Sequence, residues 1–128
     1  MLSSMTAILC ADDDVFFLYS IWKALRADGF NVLTASNGAI ALEVSRKHHG
    51  PIDLLLTCID LPRMSGLELS GIIKAERPEI KVITMSRDPR GQVQASIHQL
   101  PFLQKPFTTA ALRDSVGALL RPAAHCAG

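Results

Sequence analysis

The chain has no strong excess of either charge: 13 Lys and Arg stand against 12 Asp and Glu, a formal +1. That balance gives no general polyanion-binding surface, so no nucleic-acid partner is expected. Long apolar runs are missing too. A stretch such as 52–56, interrupted by Asp53, is far too short to span a bilayer, and no membrane partner is expected. The opening MLSSMTAILCADDD lacks the basic residues and the small-residue cleavage site of a secretory leader, so a cytoplasmic location is expected. Cysteine is scarce. Cys10, Cys58 and Cys126 are odd in number and have no short ligand spacing, which excludes a disulfide framework and a zinc knuckle and leaves free thiols. Internal repeats, low-complexity tracts and linkers are absent as well, so one domain over 1–128 is expected, with RPAAHCAG from about residue 121 as a frayed tail.

What is present is an alternation. With 48% apolar and 20% charged residues, 128 residues suffice to bury a core without covalent staples. Five short apolar runs, Thr6 to Ala11, Phe30 to Ala35, Asp53 to Thr57, Lys81 to Met85 and Phe102 to Gln104, are mostly continuous rather than alternating. Such runs are expected of parallel strands covered on both faces. Amphipathic stretches separate them. Val15, Leu18, Trp22 and Leu25 define one helical face, Leu69, Ile72 and Ile73 a second, and Leu112, Val116, Leu119 and Leu120 a third. Gly29, Gly50-Pro51 and Pro78 end three helices where a strand must follow. Right-handed crossovers then produce an open α/β sheet, whose ligands sit beyond the carboxyl ends of the strands.

Those ends carry the polar residues. The first strand ends in Asp12-Asp13-Asp14, the third in Cys58, the fourth in Ser86 and the fifth in Lys105-Pro106. Asp14 is the expected N-cap of the next helix. One cap does not need three carboxylates, and two more side by side require a hard divalent ion or a basic group such as Lys105. A Lys-Pro bond at this position is a candidate cis peptide.

On these residues the chain resembles a bacterial response-regulator receiver domain over nearly its full length. The resemblance rests on ILCADDD, DGFNVLTASNG, LPRMSGLEL, VITMS and FLQKPF. It implies a flavodoxin-like (βα)5 three-layer sandwich with a five-stranded parallel sheet ordered 2-1-3-4-5. It also implies a non-enzymatic module of two-component phosphorelay signalling, partnered by a histidine kinase or another signalling protein, as a monomer or weak dimer. In that family a carboxylate at the end of the third strand accepts a phosphoryl group and Mg²⁺ neutralises the charge. By position, Asp12, Asp13 and the backbone carbonyl of Asp60 are the metal ligands, Lys105 is the base contacting the phosphoryl oxygens, and Ser86 and Phe102 are the switch pair.

The acceptor position, however, is Cys58. Pro62, Met64 and Gly66 fit the family's loop only in that register; Asp60, displaced by two, would need a remodelled loop to replace it. A thiol beside two carboxylates is held protonated, and sulfur is a poor ligand for Mg²⁺, so weak metal binding and an impaired switch are expected. Arg87 follows the switch hydroxyl where the family keeps a small residue. Either it narrows the cleft or pairs with Asp12 or Asp13 in place of metal, or it points to solvent. The stretch from Ser86 to Lys105 is short, so the fourth helix is expected to be short or distorted, with Gln94, His98, Phe102 and Arg113 defining an altered partner-binding face. Three other functions remain open at this point. One is a Mg-dependent phosphoaspartate phosphatase using the Asp12/Asp14 spacing, although Val15-Phe16 stands where Gly-Thr is usual. A flavodoxin-like electron carrier would place three carboxylates against its flavin phosphate, so no flavin or nucleotide is expected. The last is a redox sensor built on Cys58.

Overall fold

A computed structural model describes residues 6–120, so the expected tail from residue 121 and Cys126 lie outside the described residues. Five strands and five helices alternate: β1 (Ala7–Ala11), α1 (Val15–Ala27), β2 (Asn31–Ala35), α2 (Gly38–Lys47), β3 (Leu54–Cys58), α3 (Gly66–Glu76), β4 (Lys81–Ser86), α4 (Arg90–Ile97), β5 (Phe102–Gln104) and α5 (Thr109–Leu120). The strands form one parallel sheet in the order β2-β1-β3-β4-β5. This is the expected flavodoxin-like (βα)5 arrangement.

β1 and β3 are buried at every position, as continuous apolar runs covered on both faces must be. The core gathers Ile8 and Leu9 of β1, Leu54 to Leu56 of β3, Ile83 and Met85 of β4, and the inner faces of the helices. α1 buries Leu18, Ile21 and Leu25. The face expected from Val15 and Trp22 is therefore rotated: Val15 is exposed, and Trp22 lies at the margin, stacked with Tyr19 and covered by Arg26.

The helix starts follow local chemistry. Asp14, Asn37 and Ser65 cap α1, α2 and α3, each side chain accepting a backbone N–H three residues on, and Ser65 with Glu68 completes a capping box. α4 has no side-chain cap on its N-cap residue Pro89 and runs for only 8 residues, the short fourth helix expected.

One side chain ties the amino-terminal edge of the sheet together. Arg77, at the end of α3, makes four hydrogen bonds: to Ser45 Oγ (3.0 Å), Ser45 O (2.8 Å), His48 O (3.1 Å) and Gly50 O (2.9 Å). The planar guanidinium gathers carbonyls of the last turn of α2 and of the loop that follows it, a geometry lysine does not reproduce. Arg46, by contrast, pairs with Glu76 in solvent, where an ion pair contributes about 0–1 kcal/mol. Arg77→Ala is expected to cost about 2 kcal/mol in urea unfolding, with Arg77→Lys close to it and Arg46→Ala under about 1 kcal/mol.

Candidate functional site

The carboxyl edge of the sheet brings together the ends of β1, β3 and β4 and the residue after β5. Register sets the heights. Cys58 pairs with Met85 and Ser86 with Gln104, while Ile59 N–H donates to Met85 O (2.8 Å) and Lys105 N–H to Ser86 O (2.8 Å). The loop after β3 is held by close contact: a Cβ at Gly66 would lie 2.0 Å from the Cys58 carbonyl oxygen, so only glycine allows α3 to begin there.

Lys105 dominates the floor of the cleft. Its ammonium lies 2.5 Å from Asp12 Oδ2, both side chains being almost wholly buried, and 3.7 Å from Cys58 Sγ. Below it is the Phe17 ring, 4.5 Å from Nζ to the centroid, itself braced edge-on by Phe107 at 5.3 Å. The other oxygen of Asp12 accepts the Asp14 N–H at 2.9 Å. The Lys105–Pro106 bond is cis, and Pro106 is exposed.

Cys58 is buried and free. Burial, reinforced by the negative charges of Asp12 and Asp60, pushes its thiol above the ordinary value of 9.0 against the opposing pull of Lys105. The second core thiol, Cys10, is pushed up to about 12 by burial and by Asp12. Both are neutral near pH 7 and neither is an activated nucleophile.

The other candidates take different places. Asp13 is exposed and lies outside the Lys105–Asp12 pair. Of the places expected for Arg87, it takes neither the pairing with Asp12 nor that with Asp13. Its guanidinium reaches Asp14 at 3.2 Å, because Asp14 turns outward to cap α1 and Asp12 is already engaged. The cap hydrogen bond from the Phe17 N–H, and after it the Arg87 guanidinium, hold the Asp14 carboxyl below the usual carboxylate range. Gln104 fixes the Arg87 backbone by donating to its carbonyl at 2.8 Å.

Ser86 is fully buried and donates its hydroxyl to the Asp60 carboxylate. Asp60 thus enters the cleft through its side chain. The even spacing from Cys58 already put both side chains on one pleat face, but the sequence assigned Asp60 a backbone role and did not pair its carboxylate with Ser86. Phe102 is half-buried against Gly91, in the first turn of α4. Gln94 and His98 are exposed on or just after α4. Arg113 does not join them as expected; it binds Asp28 at the end of α1 at 2.7 Å. Phe17, Phe107 and Asp88 escaped the sequence reading, since apolar and loop residues gain a role only from what they touch.

Chemically, the cleft has one buried carboxylate neutralised by one buried ammonium, a neutral thiol beside them and a hydroxyl bound to a carboxylate at the rim. Among the described residues, no group of three His, Cys, Asp or Glu side chains is arranged to hold a metal ion.

The chain matches the response regulator receiver domain family over residues 8–117. It is 32% identical over 119 residues to the transcriptional regulatory protein PrrA of Mycobacterium tuberculosis, covering 89% of this chain and 49% of that one. It is 30% identical over 120 residues to a cyclic di-GMP phosphodiesterase of Thermotoga maritima, covering 91% of this chain and 31% of the relative. The chain thus spans half or less of the length of these relatives. Among solved structures, a response regulator receiver domain protein from Clostridium thermocellum superposes with a TM-score of 0.82 at 27% identity, covering 91% of this chain and 94% of that one. The response regulator TrrA of Thermotoga maritima, in complex with Mg²⁺-BeF, gives 0.80 at 28%, covering 91% of this chain and all of that one. By family match, topology and the positions of its strand-end residues, the chain belongs to the response-regulator receiver domains of two-component signalling.

Proposed function

We propose that this chain is a receiver module whose output is protein binding and whose phosphoryl switch is impaired, with a histidine kinase or another signalling protein as partner. The observation that carries this reading is Cys58: buried, protonated, and 3.7 Å from a lysine already committed to Asp12. A phosphoryl acceptor must be an available nucleophile, and this thiol lacks both charge and access.

The donor set also fits Mg²⁺ poorly. Receiver domains bind the ion beside the acceptor, and TrrA carries it with BeF. Here Asp12 is engaged by Lys105 and the Asp14 N–H, the third carboxylate is replaced by soft sulfur, and Asp13 stands in solvent. Lys105 supplies the positive charge that a hard cation would otherwise bring.

The other readings are less well supported. An aspartyl phosphatase would need Asp14 as acid and base, but that carboxylate caps α1 and pairs with Arg87. A redox sensor needs an exposed, ionised thiol, which is the opposite of Cys58.

Incubation with acetyl phosphate and Mg²⁺, followed by intact mass, should leave this chain unmodified, while Cys58→Asp gains a phosphoryl increment. An adduct on Cys58 or Asp60 would overturn the proposal. So would a Cys58→Asp variant that takes no phosphate, because the cleft would then have diverged beyond one residue. Mg²⁺ affinity by calorimetry is expected to be weaker in this chain than in Cys58→Asp by roughly tenfold or more.

Thiol chemistry carries its own sign. A raised pKa keeps the thiolate scarce, so alkylation of Cys58, followed by peptide mapping, should be slow near neutral pH, climb steadily with pH, and still be climbing without a plateau at pH 9.0. Rapid reaction with peroxide at neutral pH would favour the redox sensor instead.

A further inference from the structure

We propose that Asp60 is a built-in ligand of the switch hydroxyl: its carboxylate accepts the hydrogen bond that Ser86 donates and, through Ser86, tethers α4 to the cleft in the absence of any modification. The inference rests on the reading above, in which no phosphoryl group forms at position 58.

The argument begins with what a serine hydroxyl can do. It has one proton to donate and lone pairs to accept. In this chain Ser86 Oγ donates to Asp60 and accepts from the Asp88 N–H at 3.0 Å, so its donor is spent. Any anionic group arriving at position 58 must displace Asp60 to gain that hydroxyl. The two acceptors compete.

The chain of contacts then continues outward. Asp88, placed by its bond to Ser86, accepts the Arg90 N–H at 2.9 Å and pairs with the Arg90 guanidinium at 2.8 Å. Pro89, the N-cap residue, makes no side-chain bond, so Asp88 performs the capping that Pro89 cannot. Gly91 completes the seat. A Cβ there would lie 2.9 Å from Ser86 Cβ and 2.9 Å from the Phe102 ring, so the first turn of α4 rests directly on the switch serine and the switch aromatic.

α4 has little else to hold it. Its buried residues are Gly91 and Ala95, among the smallest apolar side chains, while Val93 and Ile97 are exposed. A helix with so small an apolar face depends on its polar attachment. Asp60 to Ser86 to Asp88 to the start of α4 is that attachment, and its first member belongs to the β3–α3 loop.

Amide hydrogen exchange on the protein without metal or phosphodonor tests this. In Asp60→Ala, exchange across α4 should quicken by about tenfold or more, while the amides of Leu9 and Leu55 in the central strands keep their protection. Asp60→Asn, which retains an oxygen acceptor, should stay within about threefold of the parent chain. The double variant Asp60→Ala/Ser86→Ala should exchange no faster in α4 than Ser86→Ala alone, because both changes cut one chain of contacts. Unchanged α4 exchange in Asp60→Ala would overturn the proposal. So would effects that multiply in the double variant, or a loss of protection shared equally by Leu9 and Leu55. Phosphorylation of the parent chain in the separate mass assay would defeat the impaired-switch reading and leave this exchange result standing.

Discussion

The Lys105–Asp12 pair is the constraint on which the cleft depends. β5 lies at the edge of the sheet and β1 three strands away, beyond β4 and β3, so the lysine following β5 must reach across the ends of β4 and β3 to meet Asp12. In doing so its ammonium passes 3.7 Å from Cys58 Sγ. The energetic value of such a pair is ambiguous, because desolvation opposes the Coulombic gain, and an apolar replacement of both partners is often neutral. Removing one partner is different: it strands the other charge in a dry site, at a cost of about 3–5 kcal/mol. What the pair secures is therefore position. Phe17 and Phe107 support the ammonium from below, and the Asp14 N–H orients the carboxylate from the side.

Charge counting explains why a thiol suits this arrangement. With a carboxylate at position 58, two buried or nearly buried negative charges would face one lysine, and a cation would be needed to close the balance. With a protonated thiol, one ammonium meets one carboxylate and the floor of the cleft is neutral without further help. The charges nearer solvent balance in the same local way, Asp14 with Arg87 and Asp88 with Arg90. These outer pairs are largely solvated and carry little stability. Arg87 thus belongs to the rim, where its bond to Asp14 links the β4–α4 loop to the start of α1.

How much of this was legible beforehand depends on how far each side chain reaches. The strands and the open parallel sheet followed from backbone-scale features: apolar runs of β1 and β3 long enough to be covered on both sides, helix stops at Gly29 and Gly50, and crossovers of one hand; the strand order came from the family resemblance. Strand ends were legible for the same reason, since a residue at the end of a run has few places to go. Longer reaches were not. Arg87 faced three consecutive aspartates, and spacing alone could not choose among them; the helix cap decided by turning Asp14 outward. The rotation of α1 escaped because Leu18, Ile21 and Leu25 and the pattern through Val15 and Trp22 both satisfy a helical repeat. Arg113 was assigned to a face by its helix, yet its long stem let it settle on Asp28 instead.

A two-state device needs a ligand whose contribution differs between its states, and whose presence can change. A phosphoryl group meets both conditions because it is added and removed. A carboxylate in the chain's own loop meets only the first: it can favour the arrangement in which Ser86 faces the cleft, but it never leaves. On the proposed reading, the loop residue that family position assigns to a backbone role has acquired a side chain that substitutes for the missing input, while Cys58 ensures that no competing anion arises beside it. The exposed residues of α4, Val93, Gln94 and Ile97 with His98 at its end, are then presented continuously. A partner recognising that surface would read the abundance of this protein, because the helix it binds is held by Asp60 whether or not a kinase has acted.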